Sequence, residues 1–205
     1  IYFSSSAAYP IKLQTSEYYL KETDINLMDC STPDMTYGWA KLTGEFCLQY
    51  LEQAGIKVHV FRPFSGYGTD QDLDYPFPSY INRARLKLDP FEVWGDGTPL
   101  REFVYSKDVA NIVDLLVEKY EGTSPVIISN PVEYTIKQVV DLIVEYVGFE
   151  GEVVWLTDKP KGQYRKPSSN AKLLSIIGDY EFTTLEKGLK DSVEWFILNY
   201  PNVRM

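Results

Sequence analysis

Tyr37-Gly38-Trp39-Ala40-Lys41 is the stretch from which the fold is read. Behind it Leu42, Phe46, Cys47 and Leu51 recur at helical spacing, which predicts a helix over about Pro33 to Ala54. The preceding Ser31-Thr32-Pro33-Asp34 is a helix-start signal with Thr32 or Asp34 as the cap, and Gly55 fits the position just past the end. Residues i and i+4 share a helix face, so Tyr37 and Lys41 stand side by side. A lysine ammonium a few ångströms from a phenol favours the phenolate. A phenol tuned in that way can act as a general acid/base near neutral pH. By itself the pair reads first as a solvated surface contact, because two common residues at a fixed spacing often arise by chance.

The chain opens Ile1-Tyr2-Phe3-Ser4-Ser5-Ser6-Ala7-Ala8-Tyr9-Pro10, a short apolar run ending in hydroxyls. That pattern fits the C-terminal edge of a buried parallel strand, the edge at which ligands bind in open α/β sheets. Taken alone it is also a strand end followed by turn residues. Ser5, Tyr37 and Lys41, in that order, resemble the extended short-chain dehydrogenase/reductase family, the NAD(P)-dependent epimerases and dehydratases of nucleotide-sugars. The tail, through Trp195-Phe196, is most similar to the GDP-fucose synthase branch. The resemblance implies an α/β fold: a Rossmann-type parallel sheet, C-terminal portion only, with a smaller α+β substrate-binding domain. Residues 1–67 and 100–129 would belong to the NAD(P)-binding part, and 68–99 and 130–205 to the substrate part.

With 205 residues the chain can bury a real core, as one domain or one and a fraction. A net charge of −9 argues against a nucleic-acid footprint. An acidic protein that binds an anionic ligand must therefore gather its cations locally. Two cysteines, Cys30 and Cys47, make no disulfide framework and fit a reducing, cytoplasmic setting. No apolar run reaches membrane length and no secretory signal is present. No Gly-rich strand-turn-helix phosphate loop is found either. By the resemblance, the βαβ units carrying that loop would precede Ile1. The chain is then expected to hold the catalytic and substrate half and to be inactive alone.

Ile11 to Pro33 reads as a loop. Ile56-Lys57-Val58-His59-Val60-Phe61 reads as a buried strand, with His59, the single histidine, as a packed core residue rather than a catalyst. Arg62-Pro63-Phe64-Ser65-Gly66-Tyr67-Gly68 lies at its end. By the resemblance, the backbone of this turn, at Pro63 and Phe64, touches the nicotinamide and Ser65 reaches the substrate. Relatives usually carry Asn at that place. Asp70 to Leu88 is acidic and aromatic, then helical from about Pro78. Phe91 to Gly97 is a strand and tight turn in which Val93 and Trp94 would line the nucleotide base; a buried structural tryptophan is the other reading of Trp94.

Arg101-Glu102-Phe103-Val104-Tyr105-Ser106-Lys107-Asp108-Val109-Ala110 is the second strong match. The family's arginine at this place reaches the substrate diphosphate, and a guanidinium suits phosphate because it offers several donors in a fixed fork. Asp108 is an N-cap or first-turn acid of a helix to about Tyr120, with a strand after it at Pro125 to Ser129. The tail predicts a helix over 136–147, a strand over 152–156, a short helix after Asn170 and a last helix over about 183–199. In the loop between, Lys161-Gly162-Gln163-Tyr164-Arg165-Lys166 gathers three cations, and relatives place a phosphate-binding residue there; Arg165 and Lys166 are the candidates, with a solvated loop as the alternative.

The resemblance also bears on the reaction. Family members oxidise a sugar carbon by hydride transfer to NAD or NADP and differ in the steps after that oxidation. Dehydratases carry Asp-Glu where this chain has Ser6-Ala7, and fucose synthases carry Cys at the second position. Neither Ser6 nor Ala7 can remove a carbon-bound proton. The fucose-synthase histidine before the helix near Pro78 is also replaced, with Asp74, Tyr75 and Pro76 in its vicinity. The first expectation is therefore a nucleoside-diphosphate-sugar C4 epimerase or plain keto-sugar oxidoreductase. Tyr37 would move the hydroxyl proton, Lys41 would hold the nicotinamide ribose, Ser5 would bond the reacting oxygen, and Ser6 would contact the substrate. A GDP-fucose-synthase-like epimerase/reductase is the second expectation, and a nucleotide-sugar-binding remnant the third. A homodimer built on the Tyr37 helix through Leu42, Phe46 and Tyr50 is expected, with no metal.

Overall fold

The computed structural model describes residues 1–28, 31–159 and 162–204, so the readings placed on Cys30 and Lys161 lie outside it. In chain order the elements are β1 (Tyr2–Phe3), α1 (Met35–Gln53), β2 (Val60–Pro63), β3 (Gly66–Tyr67), α2 (Pro76–Arg85), β4 (Phe91–Trp94), β5 (Leu100–Glu102), β6 (Val104–Tyr105), α3 (Ser106–Lys119), β7 (Val126–Ile128), β8 (Glu133–Thr135), α4 (Ile136–Val147), β9 (Val153–Leu156), α5 (Ala171–Ile177) and α6 (Leu185–Asn199). β1, β2 and β7 form a parallel sheet in that order, with Tyr2 opposite Val60 and Phe61 opposite Val126. Parallel neighbours need long crossovers, which α1 and α3 supply. Val126, Ile127 and Ile128 are all fully buried, so the unbroken apolar run of β7 is a strand covered on both faces.

One larger core packs on this sheet and a second is built from other elements. Ile112 and Leu116 of α3 pack with Phe61, Val126, Ile128 and, from α5, Leu173 and Ile177. A second core joins Phe77 and Ile81 of α2, Phe91 of β4, Val139 and Ile143 of α4, and Leu189 and Phe196 of α6. The short pairs β4–β9 and β3–β6 are parallel and β5–β8 is antiparallel. Among the described residues no helix is long and apolar enough to cross a membrane.

Local chemistry explains the boundaries. Thr135 accepts from the Gln138 backbone while the Gln138 side chain reaches back to the Thr135 amide, a reciprocal cap that starts α4. Gly148 ends α4 in the left-handed conformation at φ 71°. α2 begins at Pro76, two residues earlier than predicted, because proline is pre-set for the first helical position. The strand expected from Ile56 begins only at Val60: Val58 and His59 are buried, but the ladder opens at the Tyr2–Val60 pair. Asp108 is a buried first-turn acid rather than the cap, which is Tyr105. It accepts from the Thr183 amide at 2.8 Å and hydroxyl at 3.0 Å and from the Tyr180 hydroxyl at 3.2 Å, so it ties the tail to α3.

Candidate active site

α1 lies unusually close to the strand-end turn. A Cβ built on Gly38 would meet the Ala7 carbonyl oxygen at 2.2 Å, and the Asp34 amide donates to that same oxygen at 2.9 Å. Only glycine allows this approach. One turn past Lys41, Glu45 is buried and forks onto Arg62 of β2, whose Nε and Nη2 donate at 2.9 and 2.6 Å. The Arg62 Nη1 donates to the Tyr9 hydroxyl and the Glu22 carbonyl. Burial works against the charge of Arg62, yet the hydrogen bonds and charge of Glu45 and Tyr9 hold its pKa above the ordinary value. Arg62, read from sequence only as part of a turn, is thus the bolt between α1, the sheet and the strand-end turn.

Tyr37, Lys41 and Glu45 form one i, i+4 stripe on α1, with Glu45 anchored inward and Tyr37 half-exposed. Lys41 Nζ donates to the Phe3 carbonyl at 2.9 Å and sits 5.5 Å from the centre of the Tyr37 ring and 5.6 Å from that of Tyr2. Ser5 caps the short helical turn at 6–8 and accepts from the Ala7 amide through Oγ at 3.1 Å. Its hydroxyl proton remains available for a ligand.

These groups open onto one cleft of about 900 Å³. Ser5, Ser6, Tyr37, Lys41, Pro63 and Ser65 line it on the sheet side; Trp94 and Arg101 line it on the other. Ser65 has φ 46°, a left-handed backbone that Asn adopts more readily than most side chains. Trp94 is 62% exposed, which sets aside the buried structural reading. Other candidates are not brought to the cleft. The Phe64 ring is buried edge-on against Tyr9, and Val93 is in the core under α2 and α4, so neither side chain faces a ligand there.

Arg101 is largely withdrawn from water, and burial lowers its pKa while Asp34 opposes that. Its donors rest on the carbonyls of Leu100 and Gln163, each at 2.7 Å, and Tyr164 at 3.4 Å. Lys166 stands beside it, 3.9 Å from Asp34; burial pulls its ammonium down to about 8, Asp34 opposing and Arg101 adding. Arg165 points elsewhere: it pairs with Glu133 at 2.5 Å and donates to the Tyr19 hydroxyl and the Ser16 carbonyl. It fastens the loop and is not a lining residue of the cleft.

His59 stacks on Phe61 and tilts against Tyr120; burial lowers its pKa first, with Lys57 adding. Ser4, Gln71, Asp72, Tyr75 and Arg204 also line the cleft, and the sequence singled none of them out as a site residue. For Ser4 the available signal was the hydroxyl run itself. The loop at 70–75 has no periodic pattern to announce which side chains turn inward. Among the described residues no group of three or more His, Cys, Asp or Glu could hold a metal ion.

The family model described as NAD dependent epimerase/dehydratase family matches residues 1–129. The chain is 43% identical over 161 residues to a probable GDP-L-fucose synthase of Drosophila melanogaster, covering 73% of this chain and 50% of that protein. It is 34% identical over 164 residues to the GDP-L-fucose synthase of Dictyostelium discoideum, covering 76% and 51% respectively. The chain thus spans about half the length of the curated relatives it matches. A GDP-L-fucose synthetase from Naegleria fowleri bound to NADP superposes with a TM-score of 0.88 at 26% identity, covering 99% of this chain and 67% of that one. The UDP-glucose 4-epimerase of Thermotoga maritima with UDP-glucose gives 0.79 at 26%, covering 96% and 62%. These likenesses identify the parallel sheet as Rossmann-type α/β.

Proposed function

The chain belongs to the NAD dependent epimerase/dehydratase family, and from that premise we propose that it forms the catalytic and sugar-binding part of a nucleoside-diphosphate-sugar epimerase/oxidoreductase. The observation that carries this reading is the convergence of Ser5, Tyr37 and Lys41 on one cleft beside the end of β1. The nicotinamide of NAD or NADP supplies hydride acceptance and return when bound. Lys41 fits that group: one donor is spent on the Phe3 carbonyl, and the ammonium keeps donors for a ribose hydroxyl. The Tyr37 hydroxyl takes or gives the proton of the reacting sugar hydroxyl, and Ser5 holds that oxygen. Arg101, with Lys166 behind it, meets the diphosphate, while Trp94 offers an aromatic face to the base.

We take C4 epimerisation as the first outcome, because it asks for no further proton carrier at carbon. Ala7 offers none, and its carbonyl is turned to α1. The similarity to GDP-L-fucose synthases favours an epimerase/reductase outcome instead. The division of labour we propose gives 1–67 and 100–129 to the dinucleotide side and 68–99 and 130–205 to the sugar side. α5 is the exception, since it packs on the core of α3 and β7. We also propose a homodimer through the exposed Trp39, Phe46 and Tyr50 of α1. Leu42, expected at that contact, is buried within the chain and has no part in it.

Turnover is assayed on the protein from its complete reading frame with GDP- and UDP-sugars and either NAD or NADP. Tyr37→Phe removes the transferable proton and keeps the ring, so kcat falls by about 10²–10⁴ with nucleotide-sugar binding little changed. A near-normal kcat in that variant refutes the assignment.

A further inference from the structure

We infer that Asp34 is a positioning residue for the ligand's diphosphate, acting as the built-in counter-ion of the two cations proposed to meet it, Lys166 and Arg101. This rests on the nucleotide-sugar reading above and adds the group that holds those cations ready. Asp34 is the N-cap of α1, yet its side chain makes no capping hydrogen bond. An aspartate at that position ordinarily accepts from the helix's first amides. Here the carboxylate instead stands 3.9 Å from Lys166 Nζ. Its place is fixed by the main chain. The Asp34 amide donates to the Ala7 carbonyl and the Asp34 carbonyl accepts from the Gly38 amide, each at 2.9 Å.

The two cations need such a partner. Arg101 comes from β5 and Lys166 from the loop after β9, and their like charges oppose each other. Only 11% of the Lys166 side chain is exposed, and 3.9 Å is too long for a hydrogen bond. Among the described residues the ammonium therefore keeps all three donors. Burial pulls its pKa down to about 8; Asp34 opposes that and Arg101 adds to it. Asp34 opposes the effect of burial on Arg101 as well. The other charges nearby are engaged elsewhere: Arg165 pairs with Glu133, and Glu102 accepts from the Ser168 amide and hydroxyl. Asp34 thus helps to keep the ammonium charged and leaves its hydrogen bonds for a phosphate, where a charged donor and a charged acceptor make the stronger kind of bond.

The test is calorimetric binding of GDP-L-fucose to the 205-residue chain at about pH 6 and about pH 8.5. The diphosphate of this probe is a diester and does not titrate in that range. With binding through the charged form of Lys166, a pKa of about 8 makes the parent about fourfold weaker at about pH 8.5 than at about pH 6. Asp34→Asn keeps the shape and removes the charge, so Lys166 loses its proton at a lower pH. The same rise in pH should then cost this variant about tenfold or more, while at about pH 6 it binds at least as tightly as the parent. In a Lys166→Met background, where Glu102 still titrates, Asp34→Asn should leave the ratio between the two pH values unchanged. Parallel profiles for parent and Asp34→Asn, the mark of a merely structural role, overturn the inference alone. So does a ratio that Asp34→Asn still changes once Lys166 is replaced. If the unsubstituted chain does not bind GDP-L-fucose, or Lys166→Met binds it as tightly as the parent at about pH 6, the reading of the cleft is overturned and the inference falls with it.

Discussion

Replacing Glu45 by Met tests whether α1 is bolted to the sheet by charge. The Glu45 and Arg62 side chains are each 2% exposed and joined by two hydrogen bonds of 2.9 and 2.6 Å. Without Glu45, Arg62 keeps its charge, since a guanidinium does not deprotonate in proteins, and retains only the Tyr9 hydroxyl and the Glu22 carbonyl. Stranding one member of a buried pair typically costs about 3–5 kcal/mol, mostly as the desolvation of the group left behind. At a urea m-value of about 2 kcal/mol/M, the unfolding midpoint falls by about 2 M. Replacing both residues, Glu45→Met with Arg62→Met, removes the stranded charge and should recover at least half of that loss, because the two residues are coupled. Urea titrations of the parent, both single variants and the double variant give the cycle. A Glu45→Met loss below about 1 kcal/mol, or a double variant as unstable as the sum of the singles, refutes the reasoning.

Burial raises the Glu102 carboxyl to about 7, against hydrogen bonds from the Ser168 amide and hydroxyl that lower it. Below about pH 4 both folded and unfolded chains carry this proton; as pH rises toward 7 only the unfolded chain sheds it. Stability therefore falls by about 3 kcal/mol over that window and levels off above it. Glu102→Gln should flatten this part of the profile when unfolding is measured from about pH 4 to 8, and parallel profiles count against the assignment. Arg101→Ala should weaken nucleoside-diphosphate binding by about tenfold or more with kcat little changed, because a diphosphate contact is largely uniform between ground and transition states; steady-state kinetics and calorimetry separate the two effects. Sedimentation at micromolar concentration should give a dimer that Phe46→Glu converts to monomer; a monomeric parent removes the α1 interface.

The parts legible in the sequence were those with local chemical causes. α4 was readable to its ends because Thr135, Gln138 and Gly148 cap it. α1 was readable because its apolar spacing and the strand-end hydroxyls are both local patterns, and Ser5, Tyr37 and Lys41 do line one cleft. Partnerships across the chain were not legible. Nothing near Glu45 announces Arg62, and nothing near Glu102 announces Ser168, since each pair is made by packing of separate elements. The strand at 56–59 was overread for a related reason: Val58 and His59 are buried as a strand's residues would be, but burial alone does not make a ladder. Gln71 was invisible because a loop has no period from which an inward side chain can be read.

The contact between Gly38 and the Ala7 carbonyl works as a gauge block. With only hydrogen at position 38, the helix rests at a stop set by backbone against backbone, its main chain against the Ala7 carbonyl. Adding one methyl group at position 38 would shim the helix outward and shift Tyr37 and Lys41 together, altering their separation from the sheet edge without touching either side chain. A residue with no functional group of its own thereby sets how closely the helix that carries Tyr37 and Lys41 approaches the strand-end turn.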